Sequence, residues 1–168
     1  RSHTFDIARQ GYVSLLDGRS TRLRSDTAPM VAARHRVHQA GVFAPVVSAL
    51  ATVLGDALGT PGSRSNPLIV DAGAGTGDYL AAALDRIPTA RGLGIDLSKY
   101  CARSIVRSHD RAAAVVADIW RRIPIADDGA DAVCSVFSPR NPMEFARILC
   151  PGGLVVVVTP EPAHLGGI

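Results

Sequence analysis

The sequence predicts an α/β fold built on a parallel, Rossmann-like sheet. Three observations predict it. Short apolar runs alternate with stretches of helical periodicity, carboxylates close three of those runs, and a glycine-rich turn follows the first. Ahead of the sheet, Thr27 to Ala40 reads as a helix. Leu68-Ile69-Val70 is the kind of apolar run that a strand buried on both faces requires, and it ends at Asp71. Asp78 to Ile87 has alanine and leucine at helical spacing and closes at Pro88. Gly92 to Asp96 is the second strand, and Ser98 caps a helix running through His109. Ala113 to Ala117 is the third strand, ending in Asp118, and Asp131 to Val136 the fourth. After the loop Phe137 to Pro142, a short helix spans Met143 to Leu149. The run Leu154 to Val158, four of its five residues β-branched, is the fifth strand. Strands alternating with helices give a parallel sheet with right-handed crossovers, whose ligands sit at the carboxyl ends of the strands.

The turn after Asp71 indicates which ligand that is. Gly73, Gly75 and Gly77 let the backbone turn tightly and come close to a bound molecule. No Gly-Lys-Ser/Thr follows, so this is no phosphate-binding P-loop. The third glycine of a dinucleotide fingerprint would fall at position 78, which is Asp, and an acid beside a pyrophosphate is repulsive. D-x-G-x-G-x-G remains, the spacing of S-adenosylmethionine (SAM) sites, whose ligand has no phosphate. A purely structural βα turn is the competing reading. Asp96 lies where such a unit places the acid that accepts the ribose hydroxyls, beside Leu97; its alternative is a helix cap. Asp118 is positioned to accept the adenine amino group, with Ile119 or Trp120 packing on the ring. The alternative is a solvated acid at a strand end. The expected cofactor residues are therefore Asp71, Gly73, Gly75, Gly77, Asp96, Leu97, Asp118 and Ile119.

Composition bounds the rest. The chain has 168 residues, 47% of them hydrophobic, with a net charge of +3 and three cysteines in no metal or disulfide spacing. No apolar run approaches membrane-spanning length and no signal-peptide pattern is present, which predicts a cytoplasmic protein. Residues 1–45 carry seven Arg against three acids. That predicts a basic appendage over residues 1–60 beside a cofactor-binding core over 61–168, an arrangement suited to a polyanionic substrate such as RNA. An ordinary solvated face is the competing reading. The pair His35 and His38 lacks a third ligand and is expected to decorate the same face rather than bind metal.

The chain resembles the bacterial large-subunit (23S) ribosomal RNA guanine-N1 methyltransferases, a family that includes the tylosin-resistance type of enzyme. The resemblance opens with His3-x-Phe5-Asp6-x-Ala8-Arg9-x-Gly11-Tyr12-Val13-x-Leu15-Leu16 and Asp26-Thr27-Ala28-Pro29-Met30-Val31-x-Ala33-Arg34. It continues through the glycine turn, Gly94-x-Asp96-Leu97-Ser98-Lys99, Ile123-Pro124-Ile125, Phe137-Ser138-Pro139 and Ala146 to Gly153. It ends at Thr159-Pro160-x-Pro162-x-His164-Leu165. The middle is generic to SAM methyltransferases, and the two ends are specific to the family; the match loosens from Asp17 to Ser25.

The resemblance implies SAM as cofactor, a stem-loop of 23S ribosomal RNA as partner, guanine N1 as methyl acceptor, and, in some members, a role in macrolide resistance. It implies that Phe137 stacks on a flipped guanine and that Arg140 faces its O6. Their alternatives are a last core side chain of the strand and a surface residue at a helix start. The oligomeric state is open, a homodimer being one expectation. The family begins with a zinc ribbon of three cysteines and one histidine. His3 stands where that histidine would be, but no upstream cysteine is present, so zinc is expected in the longer protein and not in this chain. The family also continues beyond Leu165 with two more strands, so the sheet is expected to be incomplete at its C-terminal side. The rival functions are a small-molecule SAM methyltransferase and a fragment that binds SAM or RNA without turnover.

Overall fold

The structure is a computed structural model, and it describes residues 5–16, 25–60 and 64–161. Six strands form one sheet: β1 (Val13–Ser14), β2 (Leu68–Ala72), β3 (Arg91–Asp96), β4 (Ala112–Val116), β5 (Ala130–Val136) and β6 (Leu149–Val158). Their spatial order is β1-β4-β3-β2-β5-β6, and every pair is parallel. Five helices connect or flank them: α1 (Ala28–Gln39), α2 (Ala44–Leu58), α3 (Asp78–Arg86), α4 (Lys99–Ser108) and α5 (Pro142–Ile148). This is the expected Rossmann-like sheet with one strand more than the sequence pattern revealed.

Side chains alternate across the sheet and bury two cores. Ile69, Ala132, Cys134 and Val136 face a layer built from α2, α3 and α4, where Leu50, Leu54, Leu80, Leu84 and Ile105 pack. Val70, Ala72 and Val133 face the other layer, closed by Ile119, Ile123, Phe145 and Ile148. Cys134 is a small core residue, as expected. The residues before 61, read from sequence as an appendage, take part in the body of the fold. β1 pairs with β4, and Tyr12, Leu50 and Leu54 join the first core.

Local chemistry sets the helix boundaries. Ser98 is the α4 cap, its Oγ accepting from the N–H groups of Tyr100 (3.2 Å) and Cys101 (3.5 Å). Asn141 caps α5 in the same way through Glu144 N–H. Arg147 then ties α5 to the loop after β4 by donating to the carbonyls of Ile123 and Ile125. Chain direction across the sheet reverses between β2, which leads outward to β3, and β5, which leads to β6. The carboxyl ends of β2 and β5 therefore open the crevice where ligands bind in this class.

Candidate functional site

At that crevice the glycine turn and the loop after β5 are built against each other. Gly73 has φ +82°, and a Cβ there would meet Ser138 Cβ at 2.5 Å. Ser138 fills the space instead, its Oγ donating to the Ala72 carbonyl at 2.6 Å and sharing a 2.9 Å hydrogen bond with Ser135 Oγ. Phe137 pays for the approach with a backbone in the left-handed region, φ 49°, which a bulky residue holds only where its surroundings fix it. Its ring stays about half exposed above the crevice.

Two clefts flank this junction. The first, about 250 Å³, is lined by Gly73, Gly75, Asp96, Leu97, Asp118, Ile119 and Phe137, so it gathers seven of the expected residues. Asp96 sits on its floor, one oxygen accepting from Gly75 N–H (3.0 Å) and the other from Ser98 N–H (2.8 Å). Each oxygen keeps acceptor capacity for a ligand hydroxyl. Burial raises the Asp96 pKa, and those two backbone donors oppose the shift. Asp96 is thus not the helix cap, a role that belongs to Ser98. Asp118 accepts from Trp120 N–H at 3.0 Å and faces Arg121 at 3.9 Å, while Trp120 remains half exposed at the rim.

The second cleft, about 340 Å³, lies on the α1 and α3 side and is lined by Asp71, Tyr79, His38, Phe43 and Phe137 among others. Its polar groups are unusual. Both Asp71 carboxylate oxygens and the Tyr79 hydroxyl are buried with no hydrogen-bond partner. Burial first, and Asp96 second, push the Asp71 carboxyl up to about 7. Burial also raises the Tyr79 phenol, with Asp71 and Asp78 adding to it. Unpaired buried groups of this kind cost stability and call for a ligand that satisfies them.

The residues present fit SAM. Asp96, Asp118 and Ile119 suit an adenosine, and the unpaired Asp71 suits a ligand ammonium. Three carboxylates around the turn would repel a pyrophosphate. Gly77 lines neither cleft. It begins α3 at φ +88°, and a Cβ there would meet Ile105 Cα at 3.0 Å, so this glycine brings α3 against α4. Arg140 is exposed and also lines neither cleft. Among the described residues the cation that lines both is Arg34 of α1, whose Nε donates to Asp26 Oδ2 at 2.8 Å. Asp26, Arg34, Tyr79, Phe43 and Ser138 are absent from the sequence-derived set. The Asp26 to Arg34 block and the Phe137-Ser138-Pro139 loop were the available signals for three of them.

The two histidines of α1 do more than decorate a face. His35 Nε2 hydrogen-bonds Ser104 Oγ at 2.8 Å, and the His38 ring packs against Phe43 and Tyr79 with centroids 5.4 and 5.3 Å away. A larger open groove of about 960 Å³ between α1, α2, α3 and α4 contains none of the sequence-derived residues and meets the second cleft at His38 and Thr76. His3 lies outside the described residues. Among the described residues, no group of three or more His, Cys, Asp or Glu is placed to hold a metal ion. No single helix among them is long and apolar enough to cross a membrane.

Comparison with known proteins gives the family and the fold. A family model described as a methyltransferase domain matches residues 69–153. The chain is 47% identical to the 23S rRNA (guanine(748)-N(1))-methyltransferase of Streptomyces fradiae, over 97% of this chain and 57% of that protein. It is 49% identical to a Micromonospora griseorubida protein provisionally named a 23S rRNA (guanine-N(1)-)-methyltransferase, over 97% of this chain and 58% of that one. The chain thus spans less than two thirds of the length of these relatives. Among solved structures, a Methanococcus maripaludis protein provisionally described as a SAM-dependent methyltransferase superposes with a TM-score of 0.65 at 22% identity, covering 83% of this chain and 67% of its own. That likeness is one of fold.

Proposed function

Because the chain belongs to the methyltransferase domain family, we propose that it binds SAM in the first cleft as far as Asp71 at the junction, takes a guanine from a stem-loop of 23S ribosomal RNA into the rest of the second, and methylates its N1. The observation that carries this reading is the junction itself. One cleft carries adenosine-type acceptors, the other an unpaired buried carboxylate and aromatic rings, and Arg34, Gly73, Gly75 and Phe137 line both. The names of the relatives support the acceptor, and a protein acting on ribosomal RNA works in the cytoplasm.

SAM supplies a methyl group on a sulfonium, an electrophile that needs alignment more than activation. The chain's part is to hold the two reactants in line. Asp96 would hold the ribose hydroxyls, and Ile119 and Asp118 would serve the adenine. Gly73 and Gly75 let the backbone lie against the ligand, and Asp71 pairs with its ammonium. Phe137, fixed beside the Ser138 anchor, stacks on the flipped guanine. As N1 loses its proton, charge grows on O6, and Arg34 is the cation at the junction that can face it. Modification of this kind serves macrolide resistance when the target nucleotide lies in the drug site.

The test is methyl incorporation from radiolabelled SAM with unmodified ribosomal RNA as acceptor, followed by nucleoside digestion and mass spectrometry. Label recovered as 1-methylguanosine is the expected result. SAM binding without label in RNA would move the search to small-molecule acceptors.

A further inference from the structure

Methylation at N1 requires a group that takes the N1 proton, and one side chain beside Phe137 is built for it. We propose that His38 is the general base, set in an acceptor pocket walled by Phe43, Tyr79 and Phe137. This rests on the guanine-N1 reading above.

His38 lies near the C-terminal end of α1 and lines the second cleft together with Phe137. Its side chain is 13% exposed, so it is shielded but reachable from the cleft. Three rings fix its place. Phe43 and Tyr79 pack against the imidazole, and Phe43 in turn contacts Phe137, with centroids 5.8 Å apart. A base stacked on Phe137 therefore enters a pocket in which His38 is the one imidazole among the described residues. His38 Nδ1 lies 3.9 Å from Asp78 Oδ2, and Asp78 is itself held by Thr76 Oγ1 at 2.5 Å. That separation is too long for a hydrogen bond, and it leaves Nδ1 as the ring nitrogen nearer the carboxylate. Nε2 makes no hydrogen bond with any described residue and is left to accept a proton. Catalytic hydrogen bonds are commonly loose before substrate arrives and tighten as charge develops.

Charged and titratable groups surround the imidazole from every element near it. α3 presents Asp78 and Tyr79, β2 presents Asp71, and α1 itself presents Arg34 and His35. Across the open groove α3 also presents Asp85 and α4 presents Tyr100, Arg103 and Arg107, while the residue before α2 and the loop after β5 present the neutral rings of Phe43 and Phe137. Asp78 is the carboxylate nearest the ring and stabilises the imidazolium once it forms. Asp71 is the other buried acceptor, but it lies under the glycine turn, where it serves the cofactor.

The step balances. The N1–H bond breaks, and its proton passes to His38 Nε2. The N1 electron pair forms the new N–CH₃ bond, and the C–S pair leaves with sulfur as S-adenosylhomocysteine. His38 then returns the proton to water, so no further reactant is required.

The experiment compares the protein with its His38→Gln and His38→Ala variants, using unmodified ribosomal RNA across a pH series. General-base loss predicts a fall in kcat of about 10²-fold or more at neutral pH, with SAM affinity and KM for RNA nearly unchanged. The deficit shrinks as pH rises toward the range where guanine N1 ionises unaided. Added imidazole should restore part of the His38→Ala rate, which a merely structural role would not allow. Independently of turnover, the His38 ring-nitrogen resonances in ¹⁵N-histidine protein should move when unmodified RNA is added without SAM. A His38→Gln rate and pH profile matching the parent protein, or ring signals unmoved at RNA saturation, would overturn the proposal. Absence of 1-methylguanosine from the unmutated protein would instead remove the guanine-N1 reading, and the base with it.

Discussion

Asp71 sets the electrostatics of the site. A carboxyl whose pKa rises from 3.8 to about 7 keeps its proton in the fold while the unfolded chain has already lost it. Its burial therefore costs stability progressively as pH rises from about 4 to 7, and the full cost remains above that. In the absence of ligand, Asp71→Asn should melt at a higher temperature than the parent protein at pH 8, with the gap closing toward pH 4. A cationic ligand reverses the sign, because it needs the ionised form. SAM affinity should rise about tenfold between pH 6 and pH 7.5 in the parent protein and stay flat in Asp71→Asn, measured by calorimetry. Gly73 makes a second residue-scale prediction. Adding a Cβ at φ +82° within 2.5 Å of Ser138 should destabilise Gly73→Ala by about 1–3 kcal/mol and weaken SAM binding, because the turn and the Phe137 loop share that contact. Equal melting temperature and affinity would show that the contact is dispensable.

Among the elements, α5 and the loop after β4 are joined by one ionic cluster. Glu144 accepts from Ile123 N–H at 2.7 Å and from Arg147 Nη2 at 2.6 Å, and Arg147 also reaches Asp127 at 2.7 Å. Arg147 holds the Glu144 carboxyl down to about 2 from 4.5. A depressed acid stabilises the fold above its unfolded pKa, and that contribution is lost as pH falls from about 4.5 through 2. Glu144→Gln should lower stability by about 2 kcal/mol at pH 7 and by much less at pH 3, read from denaturant melts at both. The same scale shows what the sequence could and could not reveal. α1, α3, α4 and α5 were legible from local sequence: Ser98 and Pro88 act on their own neighbours, although Thr27 makes no side-chain cap for α1. β1 was not, since two residues carry no periodicity and its pairing with Val115 and Val116 is a long-range event. Leu154 to Val158 was legible as a strand from its β-branched run, but the run does not say what covers it, and Val155 and Val157 remain more than 40% exposed because strand burial depends on what packs beside it.

For the molecule as a whole, the sheet order explains why the residues proposed for the cofactor were legible and those proposed for the acceptor largely were not. Asp96, Asp118 and the glycine turn end consecutive strands, so their convergence follows from the βαβ rule alone. Phe43, Tyr79, His38 and Arg34 converge only because α1 and α2 pack on α3 and α4, a tertiary event without a fixed spacing. Arg140 illustrates the limit. It lies in the right loop, but the loop turns it to solvent and Arg34 takes the position facing the crevice. The account stands most directly on one equilibrium measurement, SAM binding by the parent protein and by Asp96→Ala, with melting curves to verify the fold. It predicts saturable binding by the first and at least a tenfold weaker affinity in the folded variant. Equal affinity in the two would contradict the assignment of this crevice as the cofactor site.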